Sequence, residues 1–190
     1  MTLGFDLAAV CDNHNCETYF ETGLGYCDVD DVSLKQALRC NFKKCISLEI
    51  DPRFVETGKQ VFEKEMEEGR CVLALGDSAK LDQWFNEING KSLFFLDAHI
   101  QGGMGDTCEY TRKCPLMEEL ECIKSLDRND HVICIDDVRI ITSCKWSDES
   151  YQTDTDLLGM IKTKLKEINP NYIFERLDGH VADDVLFVHT

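Results

Sequence analysis

Thr18-Tyr19-Phe20-Glu21-Thr22-Gly23-Leu24-Gly25-Tyr26-Cys27 is an apolar run of strand length that breaks into two glycines one residue apart. The run predicts a strand over Thr18–Thr22, and the glycines predict a tight turn whose backbone comes close to something. Six further runs of the same kind follow: Cys45–Ile50, Cys71–Leu75, Ser92–Leu96, His131–Ile135, Tyr172–Leu177 and Val185–Val188. They are rich in Ile, Val, Leu and Phe, which suits strands buried on both faces. Helical patterns lie between them, at Val32–Cys40, Arg53–Glu68, Ala79–Asn89, Pro115–Leu126 and Asp156–Ile168. Strand–helix alternation predicts an α/β sandwich: a seven-stranded, mostly parallel sheet with helices on both faces. Asp178–Asp184 is too short for a crossover helix, so the last strand is expected to run antiparallel.

The composition is that of a globular chain. Of 190 residues, 43% are apolar and 29% charged, with only 3 Pro and 12 Gly. That excludes collagen-like and disordered classes, and the length suits a single domain over 1–190, with 1–16 an N-terminal extension or helix. Lys and Arg number 20 against 36 Asp and Glu, a net charge of −16. A field of that sign repels phosphate backbones and anionic lipid, so nucleic acid is disfavoured as a partner. No run approaches the length needed to span a membrane, and no signal-peptide pattern opens the chain. The 11 cysteines are odd in number, and Cys71 and Cys134 sit inside apolar runs. A reducing, cytoplasmic protein with scattered thiols is expected. The pairs Cys11/Cys16, Cys40/Cys45 and Cys108/Cys114 have too many intervening residues for the strong zinc patterns.

Ligands of open α/β sheets bind beyond the carboxyl ends of the strands. Gly23 and Gly25 follow the first strand, Glu49 ends the second and Asp77-Ser78 follows the third. An acid at the position of Glu49 can accept both hydroxyls of a ribose, and Asp77 and Ser78 lie where an adenine edge would lie. Two longer connections, His99–Cys114 and Asp137–Thr155, also follow strand carboxyl ends, and long loops in compact domains are usually functional.

These strand ends resemble class I S-adenosylmethionine-dependent methyltransferases. Glu21-Thr-Gly23-Leu-Gly25 is similar to their first motif and Ser47-Leu-Glu49-Ile-Asp51-Pro to their second. Leu75-Gly-Asp77-Ser78, Phe94-Phe-Leu-Asp97-Ala-His99 and Ile133-Cys-Ile-Asp136-Asp137 are similar to the later ones. The likeness runs from about Glu17 to Thr190, and the antiparallel last strand belongs to it. It implies a Rossmann-like methyltransferase fold with S-adenosylmethionine as cofactor. Glu21, Gly23 and Gly25 would border the methionine part, Glu49 the ribose, and Asp77 and Ser78 the adenine, with Asp97 also beside the cofactor.

Asp97 closes the fourth strand, and Asp136 and Asp137 close the fifth. Adjacent strands lie ~4.8 Å apart, so three carboxylates can converge above the sheet. Like charges held together call for a cation, and all-oxygen ligands suit Mg²⁺ or another hard divalent ion. The pattern is similar to metal-dependent O-methyltransferases of the catechol and macrocin types. An ion there would hold an acceptor hydroxyl, and His99 would be its general base. Gln101-Gly-Gly-Met-Gly105 is a candidate lid, and Tyr110, Arg112, Arg139 and Trp146 are candidate acceptor contacts. The function expected is O-methylation of a small molecule or sugar. The alternatives are a metal-independent methyltransferase and a non-catalytic nucleoside-binding or scaffold domain. Acceptor recognition is expected from the two long loops or from an oligomer partner.

Overall fold

The computed structural model describes residues 3–100, 108–142 and 156–190. The candidate lid and Trp146 lie outside the described residues. The strands are β1 Thr18–Thr22, β2 Lys44–Glu49, β3 Cys71–Leu75, β4 Ser92–Leu96, β5 Val132–Ile135, β6 Ile173–Leu177 and β7 Val185–His189. They form one sheet in the order β3-β2-β1-β4-β5-β7-β6. Pairings from β3 through to β5 are parallel, and β7 runs antiparallel to both β5 and β6. The short connection after β6 can only fold back, so the last strand runs antiparallel as expected, and it enters between β5 and the edge strand β6.

Side-chain alternation divides the core in two. On one face, Phe20, Ile46, Leu48, Phe94, Leu96, Ile133 and Ile135 pack against α5 (Leu116–Lys124) and α7 (Leu157–Ile168). On the other, Tyr19, Cys45, Phe95, Cys134 and Phe187 pack against α1 (Leu7–His14) and α2 (Ser33–Leu38). Helix starts follow local chemistry. Asp6, Asp51 and Asp156 each accept an N–H of the first turn, and Pro52 follows Asp51 where its missing donor costs nothing.

Helical lengths depart from expectation in two places. The pattern over Arg53–Glu68 becomes α3 (Pro52–Val61) and α4 (Glu63–Glu67), broken at Phe62 (φ −111°, ψ 19°), whose ring is buried. Ser78–Glu87 winds as 3₁₀ turns with a kink at Lys80, beside Gly76, where the Trp84 indole leaves no room for a Cβ. A further short helix, α6 (Val138–Thr142), lies in the connection read as a loop. Cys11, Cys16, Cys27, Cys40, Cys45, Cys71, Cys122 and Cys134 are free thiols. Most behave as small apolar groups: burial pushes the Cys11 thiol up to about 11 and the Cys71 thiol up to about 12. No helix among the described residues is long and apolar enough to cross a membrane.

Candidate active site

The sheet order reverses at β1, whose neighbours are β2 and β4. At that switch point, above the carboxyl ends of β1 to β4, lies a cleft of about 240 Å³. Gly23 and Gly25 form its near wall with φ of 87° and 59°. A Cβ on Gly23 would sit 3.0 Å from the Asp97 carbonyl oxygen, so glycine lets the ends of β1 and β4 approach.

Glu49 fixes this loop. Its Oε2 accepts the Gly25 N–H at 2.9 Å and its Oε1 accepts the Asp51 N–H at 2.8 Å. The carboxyl is buried, and burial pushes its pKa up while those two N–H groups and that of Ile50 pull it back. Ile50, Phe54 and the exposed Tyr26 add an apolar wall, with the Tyr26 and Phe54 rings 4.7 Å apart edge to face.

Asp77 joins two segments. Its Oδ1 accepts the Ala79 N–H at 3.0 Å and its Oδ2 accepts the Thr111 N–H at 2.7 Å. The chain around Thr111 is further tied where the Ile100 N–H donates to the Lys113 carbonyl at 2.7 Å. Arg112 and Lys113 thereby line the cleft, with Arg112 Nε on Glu118 at 2.7 Å; Tyr110 is not part of the lining. Ser78 is buried beneath, and its hydroxyl and that of Thr22 favour the ionised form of Glu119. Glu119 is wholly buried on α5, and burial raises its carboxyl to about 8. Sequence reading passed over this residue, although Leu116, Glu119, Leu120 and Ile123 share one face of the helix and all are buried.

Glu21 is not part of the cleft. Its side chain projects from the opposite face of the sheet, where Tyr19 Oη and Ser33 Oγ donate to Oε2 at 2.9 and 2.6 Å and Ser47 Oγ to Oε1 at 2.7 Å. Ser47 is its register partner on β2. Glu21 therefore pins α2 to the sheet beneath the glycine loop.

The far end of the cleft is acidic. Asp97, His99 and Asp137 each place a donor atom within 4.8 Å of the others. His99 Nδ1 is 3.9 Å from Asp97 Oδ1, and Nε2 is 3.9 Å from Asp137 Oδ2. Burial drives Asp97 well above the usual carboxylate range, and the charges of Asp136 and Asp137 push it further. His99 is lowered by burial, an effect the Asp137 charge opposes. Asp136 does not join this set. It groups instead with Asp137 and Asp184, and its Oδ1 accepts the Asp137 N–H at 2.7 Å. Asp137 bridges the two sets from a left-handed backbone (φ 58°). Arg139 sits over the second set, pairing with Asp137 Oδ1 at 2.6 Å and with Asp184, so its charge is directed at these acids.

No protein-family profile and no curated protein matches the sequence. Solved structures do match in shape. An O-methyltransferase from Bacillus cereus in complex with SAH superposes with a TM-score of 0.59 at 14% identity, over 97% of this chain and 79% of that one. TomG, an O-methyltransferase from Streptomyces achromogenes in complex with SAM, gives 0.58 at 12% identity, over 96% and 76%. The SAH-bound methyltransferase PaMTH1 of Podospora anserina gives 0.56 at 17% identity, over 95% and 74%. The fold implied by the strand-end motifs is thus the fold this chain has: the Rossmann-like sandwich of the class I methyltransferases.

Proposed function

We propose that the chain is an S-adenosylmethionine-dependent O-methyltransferase acting on a hydroxyl of a small molecule or sugar, assisted by a divalent cation. The observation that carries this reading is the cleft itself. At one switch point it brings together the glycine turn, Glu49, Asp77, Ser78, Asp97 and His99, in a fold shared with structures that hold SAM or SAH.

The cleft suits the cofactor. Gly23 and Gly25 leave space for a close approach, and Ile50 and Phe54 offer apolar walls for a flat base. Glu49 keeps its carboxylate at the end of β2, where a ribose diol is expected, and Asp77 and Ser78 lie at the adenine end. When bound, S-adenosylmethionine supplies an electrophilic methyl group on a sulfonium centre. The residues position the acceptor oxygen in line with that methyl and keep water out.

The acidic end suits a cation. Asp97 Oδ1 is buried with no hydrogen-bond partner among the described residues. Of the acids Asp97, Asp136, Asp137 and Asp184, the Arg139 guanidinium pairs with Asp137 and Asp184. Asp97 and Asp137 would hold the ion, with Asp136 supporting Asp137 from behind through its N–H. When bound, a divalent ion supplies positive charge that makes an acceptor hydroxyl more acidic. His99, between Asp97 and Asp137, takes the hydroxyl proton; its lowered pKa keeps the imidazole neutral and able to accept at physiological pH. The strongly negative chain favours an uncharged or cationic acceptor over a polyanion.

The test is methyl transfer from labelled S-adenosylmethionine to a panel of phenols, catechols and sugars, with and without EDTA. Transfer that EDTA abolishes and added Mg²⁺ or Mn²⁺ restores supports the full reading. Transfer indifferent to EDTA leaves a metal-independent enzyme, and cofactor binding without transfer to any acceptor leaves a non-catalytic nucleoside-binding domain.

A further inference from the structure

Asp137 is shared between two neighbourhoods, and its two oxygens are divided between them. Oδ2 looks toward the cleft, 3.9 Å from His99 Nε2. Oδ1 looks the other way and pairs with Arg139 Nη1 at 2.6 Å. The guanidinium is held on that side by more than one contact. Nη1 also meets Asp184 Oδ2, and the Arg139 backbone N–H donates to Asp184 Oδ1 at 2.8 Å. The Val138 N–H donates to the Asp184 carbonyl at 2.9 Å, so the turn before β7 and the start of α6 form one unit. Across the cleft, the Asp97 side chain is 10% exposed and its Oδ1 lacks a hydrogen-bond partner. One side of Asp137 thus carries a built-in cation, while the other side opens on an uncompensated buried carboxylate.

We propose that Arg139 is a tethered counter-cation on Asp137 that weakens, and thereby sets, the affinity of the Asp97–His99–Asp137 cleft for a divalent cation. The inference rests on the proposed function's placement of an ion at Asp97 and Asp137. A unit charge on one carboxylate oxygen draws electron density from the other and repels a second cation a few ångströms away. The guanidinium is 45% exposed, so water screens this repulsion without cancelling it. Coupling between two cations on one carboxylate is also reciprocal: an ion in the cleft loosens the Arg139–Asp137 pair by the factor by which Arg139 weakens the ion. Arg139 pairs with Asp137 and Asp184 and acts on the ion through Asp137, as a positioning residue.

The experiment is calorimetric titration of Mn²⁺ into the metal-free chain, with the free ion followed by electron paramagnetic resonance, for the wild type, Arg139→Gln, Arg139→Lys and Asp97→Asn. The proposal predicts that Arg139→Gln binds Mn²⁺ about tenfold more tightly than the wild type, at the low end of such couplings. Arg139→Lys keeps a charge that cannot bridge both carboxylates, so it should fall between the two; if the glutamine variant fails to fold, a tightening in the lysine variant carries the test alone. A merely structural role for Arg139 could loosen ion binding but would not tighten it. Equal or weaker binding by both Arg139 variants, with wild-type binding lost in Asp97→Asn, overturns the inference and leaves the ion site standing. Binding that survives Asp97→Asn, or no binding by any variant, overturns both.

Discussion

Glu49 holds the Gly25 N–H at 2.9 Å from the end of the neighbouring strand, so one buried carboxylate sets the shape of the glycine turn as well as facing the cleft. Its other oxygen accepts from Asp51, so both oxygens already receive backbone donors. Glu49→Gln would set an amide NH₂ against one of those N–H groups. An unmatched buried donor costs about 1–3 kcal/mol. Affinity for S-adenosylhomocysteine, read by displacement titration, should therefore fall about tenfold or more, while Glu49→Asp should lose less. Undiminished affinity in Glu49→Gln would remove Glu49 from the binding role.

His99→Ala should lower the rate of methyl transfer by about two orders of magnitude, a size typical of lost general-base catalysis, with cofactor affinity little changed. Burial lowers the His99 pKa below its ordinary 6.5, so the imidazole stays neutral further into acid than a free histidine. The acid limb of the pH–rate profile should accordingly lie below pH 6.5. A limb at or above that value, or full turnover in His99→Ala, would assign the proton elsewhere.

Glu119 makes a prediction about stability. Its pKa is raised by burial from 4.5 to about 8, so the folded state holds a proton that the unfolded chain releases. Stability from this group is full below about pH 4.5, declines as pH rises and is lost above about pH 8. Glu119→Gln, which cannot ionise, should melt with a flatter pH dependence and at a higher temperature than the wild type at pH 9. Parallel melting profiles across pH 5–9 would contradict the assignment.

Glu21 predicts a different failure from Glu49. Glu21→Ala leaves Tyr19, Ser33 and Ser47 without their shared acceptor, so thermal stability should drop by several degrees while any residual folded protein binds cofactor normally. Loss of binding with unchanged melting would place Glu21 at the ligand after all.

The contrast between these two glutamates shows how far the sequence could be read. The strands were legible because short runs such as Ser92–Leu96 and Val132–Ile135 are apolar enough to be buried on both faces, and the short connection between β6 and β7 left only one direction for the last strand. Glu49 is the final residue of its strand and reaches the cleft, whereas Glu21 precedes the end of β1 and is committed to one face of the sheet. Which face that is depends on a pleat that the motif does not encode. The carboxylate cluster was legible only in part. Asp97 and Asp137 meet as their strand ends suggested, but Asp184 joins Asp136 and Asp137 through the β6–β7 turn, and no local pattern announces a partner that distant. Arg139 looked like an acceptor contact because it follows β5, and only the position of Asp184 shows where its charge goes.

The central claim is that the cleft beyond β1 to β4 binds a sulfonium nucleoside. Calorimetric titration of S-adenosylhomocysteine into the unmodified chain tests it most directly. The account predicts saturable one-to-one binding that S-adenosylmethionine competes away and that Gly23→Val, whose side chain would crowd the Asp97 carbonyl, abolishes. No saturable heat with either nucleoside, or binding untouched by Gly23→Val in a folded variant, would contradict it.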